Sequence, residues 1–178
     1  MRKSRFTEEQ MVKILREADK APLAEVAKKH GVSEQTIRRA GVALAVIGIA
    51  IATYITIADA GGGAPACIAG GHGCQTVADS SYSHLGGVAV SVIGIVGYVA
   101  IAAAMLWPGD AGRFAALALT LVGFGFSVYL TYLELAVIDA ICQWCVASAV
   151  VMTALFALSV VRAVRYTGAE LTIEERPG

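Results

Sequence analysis

Charge is what this 178-residue chain has least of: 16% of its residues are Asp, Glu, Lys or Arg, against about 25% in an ordinary soluble domain. Between Arg39 and Arg162 the only Lys or Arg is Arg113. A stretch so poor in charge excludes a water-facing surface over most of the molecule, and the chain is 57% hydrophobic. The shortage is uneven. Residues 1–40 hold ten of the fourteen Lys and Arg against six acids, a local excess of +4. The chain therefore divides into a small segment suited to water and a body suited to lipid. A secretory leader does not account for the first apolar run, which is too long for a leader's core and lies behind forty polar residues.

Four long apolar runs follow, at residues 40–57, 86–107, 114–135 and 141–161. Crossing a hydrocarbon layer of ~30 Å takes about 20 mostly apolar residues, and a helix satisfies its own backbone amides there. The pattern predicts an all-α, integral membrane four-helix bundle with a short soluble helical N-terminal segment. Arg39, Arg113, Arg162 and Arg165 flank the run ends that share one side in a four-span topology. By the excess of basic residues on cytoplasmic loops, that side is the cytoplasm. Both termini are then cytoplasmic. The glycine-rich segment 59–85 and the short connection 135–140, neither containing Lys or Arg, face outward.

Cysteine is also scarce, and its placement is informative: Cys67 and Cys74 lie in the first outer loop, Cys142 and Cys145 at the mouth of the fourth run. Four cysteines allow three pairings, and closeness in sequence favours 67 with 74 and 142 with 145. Disulfides persist outside the cytoplasm. For the first pair the alternatives are a structural staple and an exchanging pair. Gly61, Gly62, Gly63, Gly70, Gly71 and Gly73 around it suggest a mobile loop accessible to an attacking thiol. The second pair has a Cys-x-x-Cys spacing, used both in redox centres and as half of a zinc site. If Asp139 caps the fourth helix, Cys142 is its third residue, where the helix N-terminus favours thiolate. Cys145 then lies one turn deeper, within reach of a lipid-soluble cofactor.

These residues, with Ser80 six positions after Cys74, the run GGVAVSVIGIVGY at 86–98, SVYLTYLE at 127–134 and Cys142-Gln-Trp-Cys145, resemble the vitamin K epoxide reductase family in its bacterial disulfide-forming branch, over about residues 41–165. The resemblance implies a quinone held among four helices and open to the outer face, with menaquinone or ubiquinone as electron acceptor. It implies an amphipathic half-helix near residues 76–84. It implies a thiol:quinone oxidoreductase in which a thioredoxin-fold partner attacks Cys67, freed Cys74 attacks Cys142, and released Cys145 reduces the quinone. Ser80 matches a family serine near the active site, where a hydroxyl orients a sulfur or cofactor. Some relatives carry a fused thioredoxin domain after the last helix; here a short polar tail, 166–178, follows, so the partner is expected to be a separate extracytoplasmic protein. Animal members have a tyrosine four residues after the last cysteine, where this chain has Ala149. That departure favours plain quinone reduction over epoxide reduction.

Other polar residues have ordinary readings. Trp144 is expected to anchor its helix at the membrane interface, with packing by the quinone as the alternative; Glu134 and Asp139 are expected to be solvated there, with relay of protons to the quinone as the alternative; His72 and His84 are expected to be loop residues. Glycines at 94, 97, 123 and 125 are expected to let helices approach closely, with room for a ring system as the alternative.

Residues 1–39 read as three short helices: Thr7 to Gln10 fits a capping box, Pro22 opens the second, and Ser33 caps the third after a turn at Gly31. The segment resembles the helix-turn-helix of insertion-element transposases, cut short at Arg39. So short a piece can hardly bury a core alone, and it is read as a remnant or a misassigned start without DNA binding. The domains expected are thus 1–39, 40–165 and 166–178, in the inner membrane. The competing classes are a membrane-anchored DNA-binding regulator and a zinc-stabilised structural membrane protein.

Overall fold

The computed structural model describes residues 34–67 and 72–174, with side chains as far as residue 164. The expectations for residues 1–33, including the first two helices and Ser33, and those for Gly70, Gly71, the Arg165 side chain and the extreme tail lie outside the described residues.

Helix α1, Glu34–Ala60, is followed by a six-residue helix α2, Gly73–Ala78, and by a two-residue-per-strand hairpin of β1, His84–Leu85, and β2, Val88–Ala89. Helix α3, Val90–Leu106, helix α4, Gly109–Leu133, a π turn, Glu134–Ile138, and helix α5, Gln143–Glu174, complete the described chain. Glu34–Ala60, Gly109–Ile138 and Gln143–Val164 are long and apolar enough to cross a membrane. Each spans with apolar side chains turned outward, among them Ile57, Val122 and Val150. An outward apolar face of this kind suits lipid and would be costly in water.

The second run makes a shorter helix than its composition suggests. Its first four residues, 86–89, are taken by the hairpin, where Gly86 and Gly87 hold φ of 60° and 85°, a region that residues with a Cβ rarely occupy. Its last residue, Trp107, is extended before Pro108, as the ring of a following proline requires. What remains is 17 residues, roughly 25 Å of helix, at the lower limit for a span. The expected half-helix lies at 73–78 rather than near 76–84, because the chain turns into the hairpin after Ala78.

Helix α1 packs on α3 and α5, and α4 packs on α5 and α3. The core is Ala45, Tyr98, Ile101, Ala104, Met105, Ala116, Val151, Met152 and Leu155. The closest approach is at Gly48, where a Cβ would overlap the Tyr98 ring. Of the four glycines expected to aid packing, Gly123 meets Met152 and Gly94 meets Ala52, but Gly97 and Gly125 face open space.

The four long helices alternate in direction, so the bundle has two ends. At one, the start of α1 meets the end of α3, the start of α4 and α5 near residue 162. Arg38 donates from Nε to the carbonyl of Met105 and from Nη2 to that of Leu106, carbonyls the last turn of α3 leaves free. Arg162, 1% exposed, donates to the Glu34 carboxylate at 3.3 Å, and Arg113 bridges Glu34 and Asp110. Glu34, Ile37 and Arg38 belong to the short N-terminal segment by sequence. Here they close the arginine end of the bundle, and α1 runs through residues 39–40 without a break.

Candidate active site

The other end carries the cysteines. Cys67 and Cys74 are joined in a disulfide with Cα atoms 6.0 Å apart, whereas Cys142 and Cys145 are free thiols hydrogen-bonded to one another. A cavity of about 420 Å³ opens between the helices here, and Cys74, Cys142 and Cys145 all line it. Its wall is otherwise largely apolar, with Tyr98, Ser80, Ser91 and Ser148 among the polar groups. Gly97 stands in this wall, and a Cβ added to it would meet nothing within 4 Å. It makes room rather than a helix contact.

Two local features bring the cysteine pairs together. Gly73 lies against the Ile141 carbonyl so closely that a Cβ would collide with it. Each of these residues precedes a cysteine, so the contact sets Cys74 beside Cys142; both residues are buried, at 2% and 3% exposure. The glycine expected to loosen the loop instead lets it dock. The second feature is Trp144. Its indole N–H donates to the Ala66 carbonyl at 2.9 Å, while the Ala66 N–H donates to the Tyr54 hydroxyl at 3.1 Å. The Tyr54 and Trp144 rings stand 4.8 Å apart. Both groups of the residue before Cys67 are thus clamped, and Trp144 acts as a latch between α5 and the loop rather than as a simple interface anchor.

The start of α5 departs from expectation. Asp139 does not cap it: this residue adopts a left-handed conformation, φ 53°, at the end of the π turn. Cys142 precedes the helix, and its carbonyl accepts the Val146 N–H. Its own N–H donates to the Glu134 carboxylate at 3.2 Å. Glu134 is 5% exposed and lines the same cavity; the expectation of a solvated acid fails because the π turn folds it under the Cys142 segment. The hydrogen bond from Cys145 is the main influence that holds the Cys142 thiol down at about 7, so near neutral pH a large fraction is thiolate.

Ser80 is in the cavity wall, but its hydroxyl donates to the Val77 carbonyl at 2.7 Å and thereby closes the end of α2. His84 is exposed and ties the hairpin to Asp59 and Ser83, and His72 is exposed as well. With Cys67 and Cys74 joined, Cys142 and Cys145 are the free thiols among the described residues.

Glu134 and Trp144 are the residues sequence reasoning undervalues. An acid at the end of an apolar run, eight residues before a Cys-x-x-Cys, is the available signal for the first. An aromatic inside the motif is the signal for the second.

Residues 40–160 match the vitamin K epoxide reductase family, and residues 1–39 match a transposase family. No curated protein matches the chain.

Proposed function

The chain belongs to the vitamin K epoxide reductase family, which makes it a membrane oxidoreductase, and from that premise we propose that it oxidises a thioredoxin-fold protein outside the cytoplasm and passes the electrons to a quinone. One observation carries the reading: a single cavity is lined by a cysteine of the loop disulfide and by both cysteines of the Cys-x-x-Cys pair. Two thiol–disulfide exchanges therefore suffice to bring an electron pair from the loop to the cavity.

The partner's thiolate attacks Cys67, the more accessible residue of the pair, and Cys74 leaves as thiolate; the partner's second thiol then releases Cys67 and departs as a disulfide. With the inner pair oxidised, Cys74 attacks Cys142, and Cys145 leaves as thiolate into the cavity, where it takes up one of the protons that the partner's thiols give up. Each exchange breaks one S–S bond and forms another, so its rate follows access and thiolate fraction. Cys67 then attacks Cys74, closing the loop disulfide and releasing Cys142. The arrangement in the structure, loop pair oxidised and inner pair reduced, matches this point in the cycle.

The quinone is the electron acceptor and takes up two electrons and two protons. The cavity suits it: about 420 Å³, mostly apolar, with a few hydroxyls and thiols, within the usual size and character of a small-molecule pocket. Menaquinone and ubiquinone both fit this description. The basic residues at the arginine end support the placement of that end in the cytoplasm and of the cysteines on the outer face of the inner membrane. Ser80 lines the cavity, and its hydroxyl, turned from Val77, would orient a sulfur or the quinone there.

The test is anaerobic quinone reduction by the purified protein in detergent, with a reduced thioredoxin-fold protein as donor. Loss of quinone in the wild type and none with Cys145→Ser is expected. Undiminished reduction by Cys145→Ser would end this reading.

A further inference from the structure

Glu134 is a buried acid that the exchange steps leave unused. Its carboxylate accepts the Cys142 N–H, and it shares the cavity wall with the Cys145 thiol, one turn into α5 and close enough to interact with it. Among the described residues no Lys, Arg or His pairs with it. The titratable groups that line the cavity with it are Asp59, Tyr82, Tyr98, Cys142 and Cys145; the sulfur that α2 presents to the same cavity, Cys74, is held in a disulfide. The π turn supplies the placement: its wider turn and the left-handed Asp139 fold the chain back so that residue 134 sits beneath residue 142. Such turns recur at functional sites. A buried acid with no counterion, touching the thiol that must be oxidised and lining the cavity that must accept protons, has the geometry of a general base.

Resting on the thiol-to-quinone reading above, we infer that Glu134 takes the proton from Cys145 as that thiol is oxidised and returns it to an oxygen of the quinone. The step balances without another reagent. The S–H bond of Cys145 is broken, with that of Cys142 where this sulfur is not already a thiolate, and one S–S bond is formed between them. Two electrons pass to the quinone. One proton reaches it by way of Glu134 and the other comes from Cys142, or from water where Cys142 is already thiolate, giving the hydroquinone. Glu134 ends the step in the form in which it began, ready for the next turnover. A second consequence concerns position: the same carboxylate, through the Cys142 N–H, fixes where the start of α5 lies, so the proton acceptor and the sulfur that forms the disulfide are held by one side chain.

The test is single-turnover reduction of a water-soluble short-chain ubiquinone by the full chain, its inner pair reduced beforehand, across a pH series. Glu134→Gln keeps an oxygen for the Cys142 N–H but cannot take a proton, and Glu134→Asp keeps the acid. Glu134→Gln is expected to slow the step about 100-fold at neutral pH, within the range for a positioned acid–base group. Its rate should recover in alkali, where hydroxide removes the thiol proton, and Glu134→Asp should retain most of the wild-type rate. Alkylation of Cys142 in Glu134→Gln reports whether the α5 start is still in place. A wild-type rate and pH profile in Glu134→Gln would overturn the inference. So would an equal loss in both variants at every pH, which would leave the carboxylate a purely structural role. Failure of the thiol-to-quinone reading looks different: there the wild type itself, fully reduced, leaves the quinone untouched.

Discussion

The two ends of the bundle each bury a charged residue, and they treat it in opposite ways. At the arginine end, Arg162 faces Glu34, and Arg113 and Arg38 are tied to Glu34, Asp110 and the carbonyls ending α3. At the cysteine end, Glu134 meets the Cys142 backbone N–H and the Cys145 thiol. Paired charges at the first end are fixed in their ionised forms and hold the helices together. An acid surrounded by groups that can lose protons is free to exchange one. The difference separates structure from chemistry within a single small bundle, and it predicts that damage to one end melts the protein whereas damage to the other silences it.

The largest effect is expected at the cysteines. Replacing Cys67 or Cys142 with Ser should reduce quinone turnover to background while the thermal transition in detergent keeps its cooperativity. Melting as severe as the loss of activity would erase the distinction between the ends. Next comes Glu34→Ala, which leaves the buried Arg162 without its carboxylate. Breaking a buried pair costs about 3 kcal/mol at the lower end of the usual range, suitable here because Glu34 keeps some solvent. The midpoint of thermal denaturation should fall, with turnover per folded molecule preserved. The combined change Glu34→Gln with Arg162→Met should recover much of the stability, since an apolar replacement of a buried pair is often neutral.

Within the cysteine end, Gly73→Ala should disturb the docking of Cys74 on the Cys142 segment, because the added methyl collides with the Ile141 carbonyl. Transfer from the loop pair to the inner pair, followed by rapid quench, should slow by about tenfold, the cost of roughly 1.4 kcal/mol. Trp144→Phe keeps a ring beside Tyr54 but loses the hydrogen bond to Ala66, worth about 1 kcal/mol. A small thiol should then reduce the Cys67–Cys74 disulfide a few times faster. The pH dependence sharpens the picture further. With the loop oxidised and the inner pair reduced, alkylation of Cys142 should rise with a midpoint near its lowered value of about 7 and fall away in acid as the thiolate is protonated. A midpoint at the ordinary thiol value would show that Cys145 does not support the anion.

Much of this architecture is legible in the sequence because it depends on local composition. Apolar runs and the position of Arg113, Arg162 and the cysteines specify helices, ends and the site without tertiary knowledge. What escapes is set by contacts between distant segments. The shortening of α3 needs the Gly86–Gly87 turn to be recognised as a hairpin, although those residues read equally well as helix. The pairing of Glu34 with Arg162 joins residues 128 positions apart, so no local pattern marks residues 34–38 as part of the bundle. By sequence Asp139 reads as a cap and Glu134 as a solvated acid. The π turn between them reverses both roles, and its five residues ELAVI carry no composition that sets them apart from the helix before.

The measurement that tests the central claim most directly is a trapping experiment on the double variant Cys67→Ser with Cys145→Ser, which leaves only Cys74 and Cys142. After mild oxidation in detergent, mass spectrometry of peptides should find the two joined in an intrachain disulfide in most molecules, since Gly73 and Ile141 hold their segments in contact. Two free thiols after oxidation, in a protein whose helices are intact, would contradict transfer of electrons from the loop to the inner pair.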